Sequence, residues 1–348
     1  MSGSSESEAG TFPRLLRIRR EKDGATPAMR EKAFGIWQTW SLDEFCDEAF
    51  FFASGLMHLG MSRGDTLVII GDNRPRLYAS MLAAQSIGGI PVPAYQDSIA
   101  KEIEYVVDHA EARFIVAENQ EQVDKALEIR EQCPRVEKII YCDPKGLRKY
   151  DQDVVIDMRH IVALGRDLLQ SDPDRVNIEI DKGLSSDTAV ILYTSGTTGR
   201  PKGVVLSNEN LLVTARNTSA FDKVTADEEV LAYLPMAWVG DNAFSFAMGL
   251  VVGFCVNCPE NASTVAQDLR EIGPTYYFAP PRVFENVLTS VMIRMKDAGS
   301  FKRTLFNHFM KVAKKSGARL LDGQKVSVIS RLHYQIGELL IYGPIKNS

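Results

Sequence analysis

The sequence predicts an α/β protein built on largely parallel sheets. Two observations carry this reading. Short β-branched runs alternate with amphipathic helical patterns along much of the chain. A length of 348 residues, with 45% hydrophobic and 24% charged side chains, is also enough to bury a large core.

The elements follow in order. The first ten residues, MSGSSESEAG, are polar and are expected to form a disordered tail (1–10). Ser41 and Glu44 make a capping-box pattern, and Leu42, Phe45, Ala49, Phe52, Leu56 and Leu59 then recur at helical spacing until Gly60. Thr66–Ile70 reads as a strand, with Asp72, Asn73 and Pro75 as the turn that ends it. The alternation continues with helix 76–87, strand Ile90–Ala94, helix 99–110, strand 113–117, helix 121–132 and strand Lys138–Tyr141. These elements constitute a first lobe, 11–142.

Residues 143–187 are polar and irregular, with turns at Pro144, Gly146, Asp172 and Pro173, and read as a connector carrying one helix at 158–169. A second βα series is expected from Thr188, followed by helices at 282–296, 302–316 and 326–342. That makes 188–348 a second lobe of the same domain.

Composition narrows the function. A formal net charge of −5, with Lys and Arg scattered, gives no electrostatic footprint for nucleic acid. Five cysteines, an odd number without a secretory leader, point to reduced thiols in the cytoplasm. The longest apolar stretch, 243–256, falls short of the roughly 20 residues that cross a bilayer. It reads as a buried helix leading into a strand.

The strongest chemical signal is Tyr193-Thr194-Ser195-Gly196-Thr197-Thr198-Gly199-Arg200-Pro201-Lys202-Gly203, flanked by apolar runs at 189–192 and 204–206. Its glycines let successive backbone N–H groups turn inward into an anion-binding nest, and the hydroxyls of Thr194, Ser195, Thr197 and Thr198 add donors. Lys202 adds positive charge suited to the β- and γ-phosphates of ATP. This is not a Walker A loop, because Gly203 rather than Ser or Thr follows the lysine. Residue chemistry alone leaves a structural Gly/Ser/Thr linker or hairpin as the alternative.

The string resembles the phosphate-binding signature of the adenylate-forming (AMP-binding) superfamily, and Ser207-Asn208-Glu209-Asn210-Leu211 continues the match. Two further segments are similar to the long-chain fatty acyl-CoA synthetase branch. Leu234-Pro235-Met236-Ala237-Trp238-Val239-Gly240-Asp241 corresponds to a segment beside the acyl channel, with Trp238 standing where the branch often has His. Trp238, with Val239, is therefore a candidate wall of the acid pocket; an ordinary core indole is the alternative. Pro274-Thr275-Tyr276-Tyr277-Phe278-Ala279-Pro280-Pro281-Arg282-Val283-Phe284-Glu285 resembles a strand–turn–helix of that branch, with 276–279 expected as a buried strand.

The resemblance implies the large N-terminal domain of the adenylate-forming fold: two mostly parallel sheets sandwiched by helices, stopping before the last subdomain and the mobile C-terminal domain. It implies a substrate carboxylate attacking the α-phosphorus of ATP to give acyl-AMP, with coenzyme A then displacing AMP, and with Mg²⁺ as the attendant metal. It implies a fatty acid as substrate, leaves peripheral contact with a membrane open, and leaves the remaining part either lost or supplied by a second chain. The family's Tyr-Gly-x-Thr-Glu segment, ribose-gripping Asp and catalytic Lys have no match here, so catalytic residues stay unassigned and the chain is expected to be inactive alone. A binding module without chemistry, acting as a regulator or partner, is the alternative reading.

Other features carry less. Cys255 and Cys258 have redox spacing but no second pair, and residues three apart in a strand point to opposite faces. The histidines at 58, 109, 160, 308 and 333 lack ligand spacing, so no metal site is expected from them.

Overall fold

The structure, a computed structural model, describes residues 9–194 and 199–346. It divides into two compact units, residues 1–276 and 277–348.

The first unit opens with α1 (Phe12–Asp23), capped by Thr11, and a hairpin of β1 (Pro27–Ala33) and β2 (Ile36–Ser41). Helix α2 (Leu42–His58) then starts at a true capping box: Ser41 Oγ accepts from Glu44 N at 3.2 Å, and Glu44 Oε2 accepts from Ser41 N at 2.8 Å. Next come β3 (Thr66–Ile70), α3 (Pro75–Ser86), β4 (Ile90–Ala94), α4 (Ala100–His109), β5 (Phe114–Ala117), α5 (Gln120–Glu128) and β6 (Lys138–Tyr141). The expected strands and helices of this stretch are all present.

Strand β7 (Val155–Asp157) completes a five-stranded parallel sheet of order β4-β3-β5-β6-β7. Both faces of that sheet are covered. Leu67, Ile69, Phe114 and Val116 face one core, and Val68, Ile70, Ile115 and Ala117 face the other. Continuous apolar runs form these strands because neither face meets water.

Segment 143–187 is more ordered than a connector with one helix, for it holds β7, α6 (Met158–Ser171) and α7 (Arg175–Asp181). Helix α6 packs closely on α2 through two glycines. A Cβ at Gly55 would lie 2.5 Å from the Ile161 carbonyl oxygen, and one at Gly165 would lie 1.8 Å from that of Phe51.

The segment after Thr188 departs from a simple βα series. β8 (Thr188–Thr194) and β9 (Lys202–Ser207) pair antiparallel as a separate two-stranded sheet before α8 (Asn208–Asp222). The loop between them is short enough for a direct return, so no crossover helix is needed. β10 (Glu229–Leu231) leads to α9 (Val239–Asp241), a π-helical stretch Asn242–Ala247 and α10 (Met248–Val252). β11 (Cys255–Cys258) and α11 (Val265–Ile272) follow, so the apolar 243–256 run is a buried helix leading into a strand.

β10 and β11 join the first hairpin in a four-stranded sheet of order β10-β11-β1-β2, parallel except for β2. Lys32 of β1, almost fully buried, holds α11 on this sheet through Asp268 at 2.8 Å and Glu271 at 2.6 Å. Residues 274–276 form no strand. Thr275 N and Tyr276 N both donate to Glu229 O, and Glu229 N donates back to the Thr275 hydroxyl rather than to a backbone carbonyl, so among the described residues no ladder propagates.

The second unit is helical. Pro280 and Pro281 start helix Pro281–Asp297, in keeping with the fixed φ of proline at a first turn. Residues 277–279 are not a strand, and this corrects the expected strand at 276–279. Ser300–Val312, Ala318–Leu321 and Val328–Gly337 follow, with π-helical stretches Ala313–Gly317 and Glu338–Tyr342. The Tyr342 hydroxyl donates to Phe309 O at 2.5 Å and ties the unit's helices together.

Candidate nucleotide and acid site

β8 ends at Thr194 and β9 begins at Lys202, and their register sets these two residues opposite each other. Both are exposed. One pair deeper, Tyr193 faces Gly203, where an added Cβ would lie 3.3 Å from Tyr193 Cζ and 2.9 Å from Ile191 Cγ2. The bare glycine lets the phenol ring lie across the hairpin.

Helix α4 contacts β8 and the residue that precedes β9. His109 Nδ1 is 2.7 Å from the Tyr193 hydroxyl, and the Tyr105 hydroxyl donates to Pro201 O at 3.0 Å. Burial, with Tyr105 beside it, pushes the Tyr193 phenol up to about 12, so it keeps its proton at neutral pH.

Gly199 has φ +98°, a conformation open to glycine and strained for other residues. Ser195, Gly196, Thr197 and Thr198 lie outside the described residues. Of the sequence-predicted phosphate residues, the structure therefore places Thr194, Gly199 and Lys202 at the open end of one hairpin.

A second cluster gathers the carboxyl ends of parallel strands from the two larger sheets. Past β3, Asp72 N donates to Glu118 Oε2 at 2.7 Å beyond β5. Arg74 donates to Glu118 Oε1 at 2.9 Å and reaches the carbonyls of Pro259 and Glu260 beyond β11. Burial pushes the Glu118 carboxyl up against the opposing pull of Arg74. In open α/β sheets this end of the strands is where ligands bind.

The 234–241 segment leaves β10 at the same end. Trp238 is half-buried, and its ring covers Gly240, where a Cβ would lie 2.2 Å from Cζ3. Val239 is 48% exposed. Three residues after the indole stands a buried carboxylate, Asp241. Its oxygens accept from the Tyr78 hydroxyl at 2.9 and 2.8 Å, and Oδ1 accepts from Asn73 Nδ2 at 2.9 Å. Burial pushes Asp241 up to about 7, against hydrogen bonds from Tyr78, Ser245 and Asn73 that favour the charged form.

The sequence reading missed this triad. Asp72 and Asn73 were legible only as a turn, and Tyr78 only as part of an apolar helix. A polar tip on an otherwise apolar helix face was the available signal.

The five cysteines are all free and buried. Burial pushes the thiols of Cys46 and Cys255 up to about 12 and that of Cys133 up to about 11, while Cys142 and Cys258 move in the same direction. None is poised as a nucleophile. Among the described residues there is no group of three or more His, Cys, Asp or Glu that could hold a metal ion. No helix of the described residues is long and apolar enough to cross a membrane.

This hairpin and sheet arrangement are those of an adenylate-forming enzyme: residues 17–330 match the AMP-binding enzyme family, and the chain belongs to it. Among relatives it is similar to the long-chain-fatty-acid–CoA ligase ACSBG1 of Rattus norvegicus, 29% identical over 300 residues, covering 84% of this chain and 41% of that protein. It is also similar to the long-chain-fatty-acid–CoA ligase ACSBG2 of Xenopus laevis, 25% identical over 345 residues, covering 97% and 46%. The chain thus spans less than half the length of these relatives.

In fold it is similar to the adenylation domain of a carboxylate reductase from Mycobacterium chelonae. The TM-score is 0.64 and the identity 18%, covering 85% of this chain and 50% of that one.

Proposed function

We propose that this chain supplies the nucleotide-binding part of a ligase that activates a long-chain fatty acid with ATP to acyl-AMP and then passes the acyl group to coenzyme A. The observation that carries this reading is the β8–β9 hairpin, with Thr194 and exposed Lys202 facing each other at the open end of a Gly/Ser/Thr string. In this reading Thr194, Ser195, Gly196, Thr197, Thr198 and Gly199 surround the β- and γ-phosphates, and Lys202 supplies positive charge. A carboxylate is a poor acyl donor, and adenylation gives it a leaving group. The share of this chain is positioning and charge complementarity as electrons move toward pyrophosphate.

Trp238 and Val239 are proposed to wall the acid pocket, since a half-buried indole and an exposed valine offer apolar surface to an alkyl chain. The names of the two ligase relatives support a fatty acid as the substrate class. ATP, Mg²⁺ and coenzyme A serve this family in general. Peripheral contact with a membrane would bring the acid within reach. A cytoplasmic location accords with five reduced cysteines. The rest of the ligase, on the same or a second polypeptide, would complete the active site.

The test uses the 348-residue chain freed of host ligases. MgATP binding is measured by calorimetry, and exchange of labelled pyrophosphate into ATP is measured with short, aromatic and long-chain acids. The expected result is binding without acid-dependent exchange, because loss of even one preorganised donor lowers a rate by roughly 10²–10³. Absence of MgATP binding, or exchange at an ordinary ligase rate, contradicts the reading.

A further inference from the structure

Asp241 is 1% exposed and takes no part in the phosphate hairpin. It nevertheless sits where the 234–241 segment is fastened to the five-stranded sheet. Asn73, just past the end of β3, donates to Asp241 Oδ1 at 2.9 Å and to the Tyr78 hydroxyl oxygen at 2.7 Å. Tyr78 donates in turn to both carboxylate oxygens. These contacts join three stretches of chain.

The next residue continues the fastening. Buried Asn242 donates from Nδ2 to Met236 O at 2.7 Å and to Trp238 O at 3.2 Å. Those two carbonyl acceptors fix the amide's orientation. Trp238 caps α9, and its ring rests on Gly240, the residue next to Asp241. The carboxylate anchor and the backbone on which the indole is seated are therefore neighbouring residues of one short turn.

We propose that Asp241, through Asn73 and Tyr78, is the positioning residue that seats the Trp238 turn at the carboxyl end of β3, and that its ionisation alters the seat. This rests on the reading that Trp238 borders the acid only where it concerns acid binding.

The charged carboxylate is drawn toward its three donors, whereas the protonated form must itself donate and gives up part of that geometry. The titratable groups facing Asp241 are Tyr78 on α3 and Cys258 on β11, with Arg74 and Glu31 beyond Cys258. Burial raises the pKa of Tyr78 and of Cys258 well above their ordinary values, so both stay neutral while Asp241 changes charge.

The experiment labels the full chain with 5-fluorotryptophan. The sequence holds three tryptophans, 37, 40 and 238, so three fluorine signals are expected, and Trp238→Phe identifies the one that matters. The Trp238 signal is expected to titrate with a midpoint near 7, following Asp241. In Asp241→Asn that titration is lost. In Tyr78→Phe the midpoint rises, because a donor to the charged form has gone.

A Trp238 signal that stays constant between pH 5 and pH 9, or one that titrates equally in Asp241→Asn, overturns the proposal. If Asp241→Asn does not fold, the direction of the Tyr78→Phe midpoint decides. Adding oleate to the unsubstituted chain reads the acid assignment separately. A pH-dependent Trp238 signal that oleate leaves unmoved keeps the positioning role and removes the acid pocket.

Discussion

Replacing Asp241 by Asn should make the first unit gain stability relative to the unsubstituted chain as pH rises through a defined window. The folded carboxyl titrates at about 7 against an ordinary value of 3.8. A raised carboxyl keeps its proton in the folded state where the unfolded chain has lost it. Stability therefore falls as pH rises between those two values and is level above them.

Each pH unit in that window is worth about 1.4 kcal/mol, so the full cost of ionising Asp241 is on the order of 4 kcal/mol. Between pH 5 and pH 8 the stability of Asp241→Asn relative to the unsubstituted chain should rise by roughly 2–3 kcal/mol. Hydrogen bonds lost with the substitution shift both ends of that comparison alike. All three tryptophans lie in the first unit, so urea unfolding followed by indole fluorescence reports the relevant transition. A difference that is constant with pH, or that shrinks as pH rises, would refute the reasoning.

Other expectations follow from single residues. Trp238→Ala should change the preference among acids of different chain length while leaving MgATP affinity unchanged; an unaltered acid profile by displacement titration returns the indole to the core. Gly165→Ala should destabilise the α2–α6 contact by roughly 1–3 kcal/mol or more, because its Cβ meets backbone rather than a flexible side chain. Chemical denaturation that matches the unsubstituted chain would contradict that. The buried, raised thiols should react with a disulfide reagent far more slowly in native buffer than in denaturant, and five fast native equivalents would be the contrary result.

The parts of the fold that were legible share a physical cause. Thr66–Ile70 and Phe114–Ala117 are buried on both faces, so their sequences are unbroken apolar runs, and the intervening α4 carries a plain helical stripe. β1 gives no such signal: Pro27–Ala33 carries three consecutive charged residues, Arg30, Glu31 and Lys32, and Lys32 is buried because Asp268 and Glu271 neutralise it from a distant helix. β7 is three residues long, too short for any period to register.

The two halves of the candidate site differ in the same way. The phosphate hairpin was visible because its chemistry is contiguous, from Thr194 to Lys202. The Asn73–Tyr78–Asp241 triad was not, because its members meet only once the turn after β3 and the segment after β10 have been brought to one end of the sheets. The expected strand at 276–279 failed for a complementary reason. Aromatic residues between prolines suit a strand, but among the described residues no ladder forms there.

The most direct test of the nucleotide assignment is the affinity of the chain for ATP, ADP and AMP in the presence of Mg²⁺, compared with that of Lys202→Ala. If the hairpin grips the β- and γ-phosphates, the unsubstituted chain binds ATP more tightly than ADP and ADP more tightly than AMP. Lys202→Ala should then lose roughly tenfold or more for ATP, on the scale of a charge-assisted contact, and almost nothing for AMP. Equal losses for all three nucleotides, or none for ATP, would place the phosphates elsewhere and contradict the assignment.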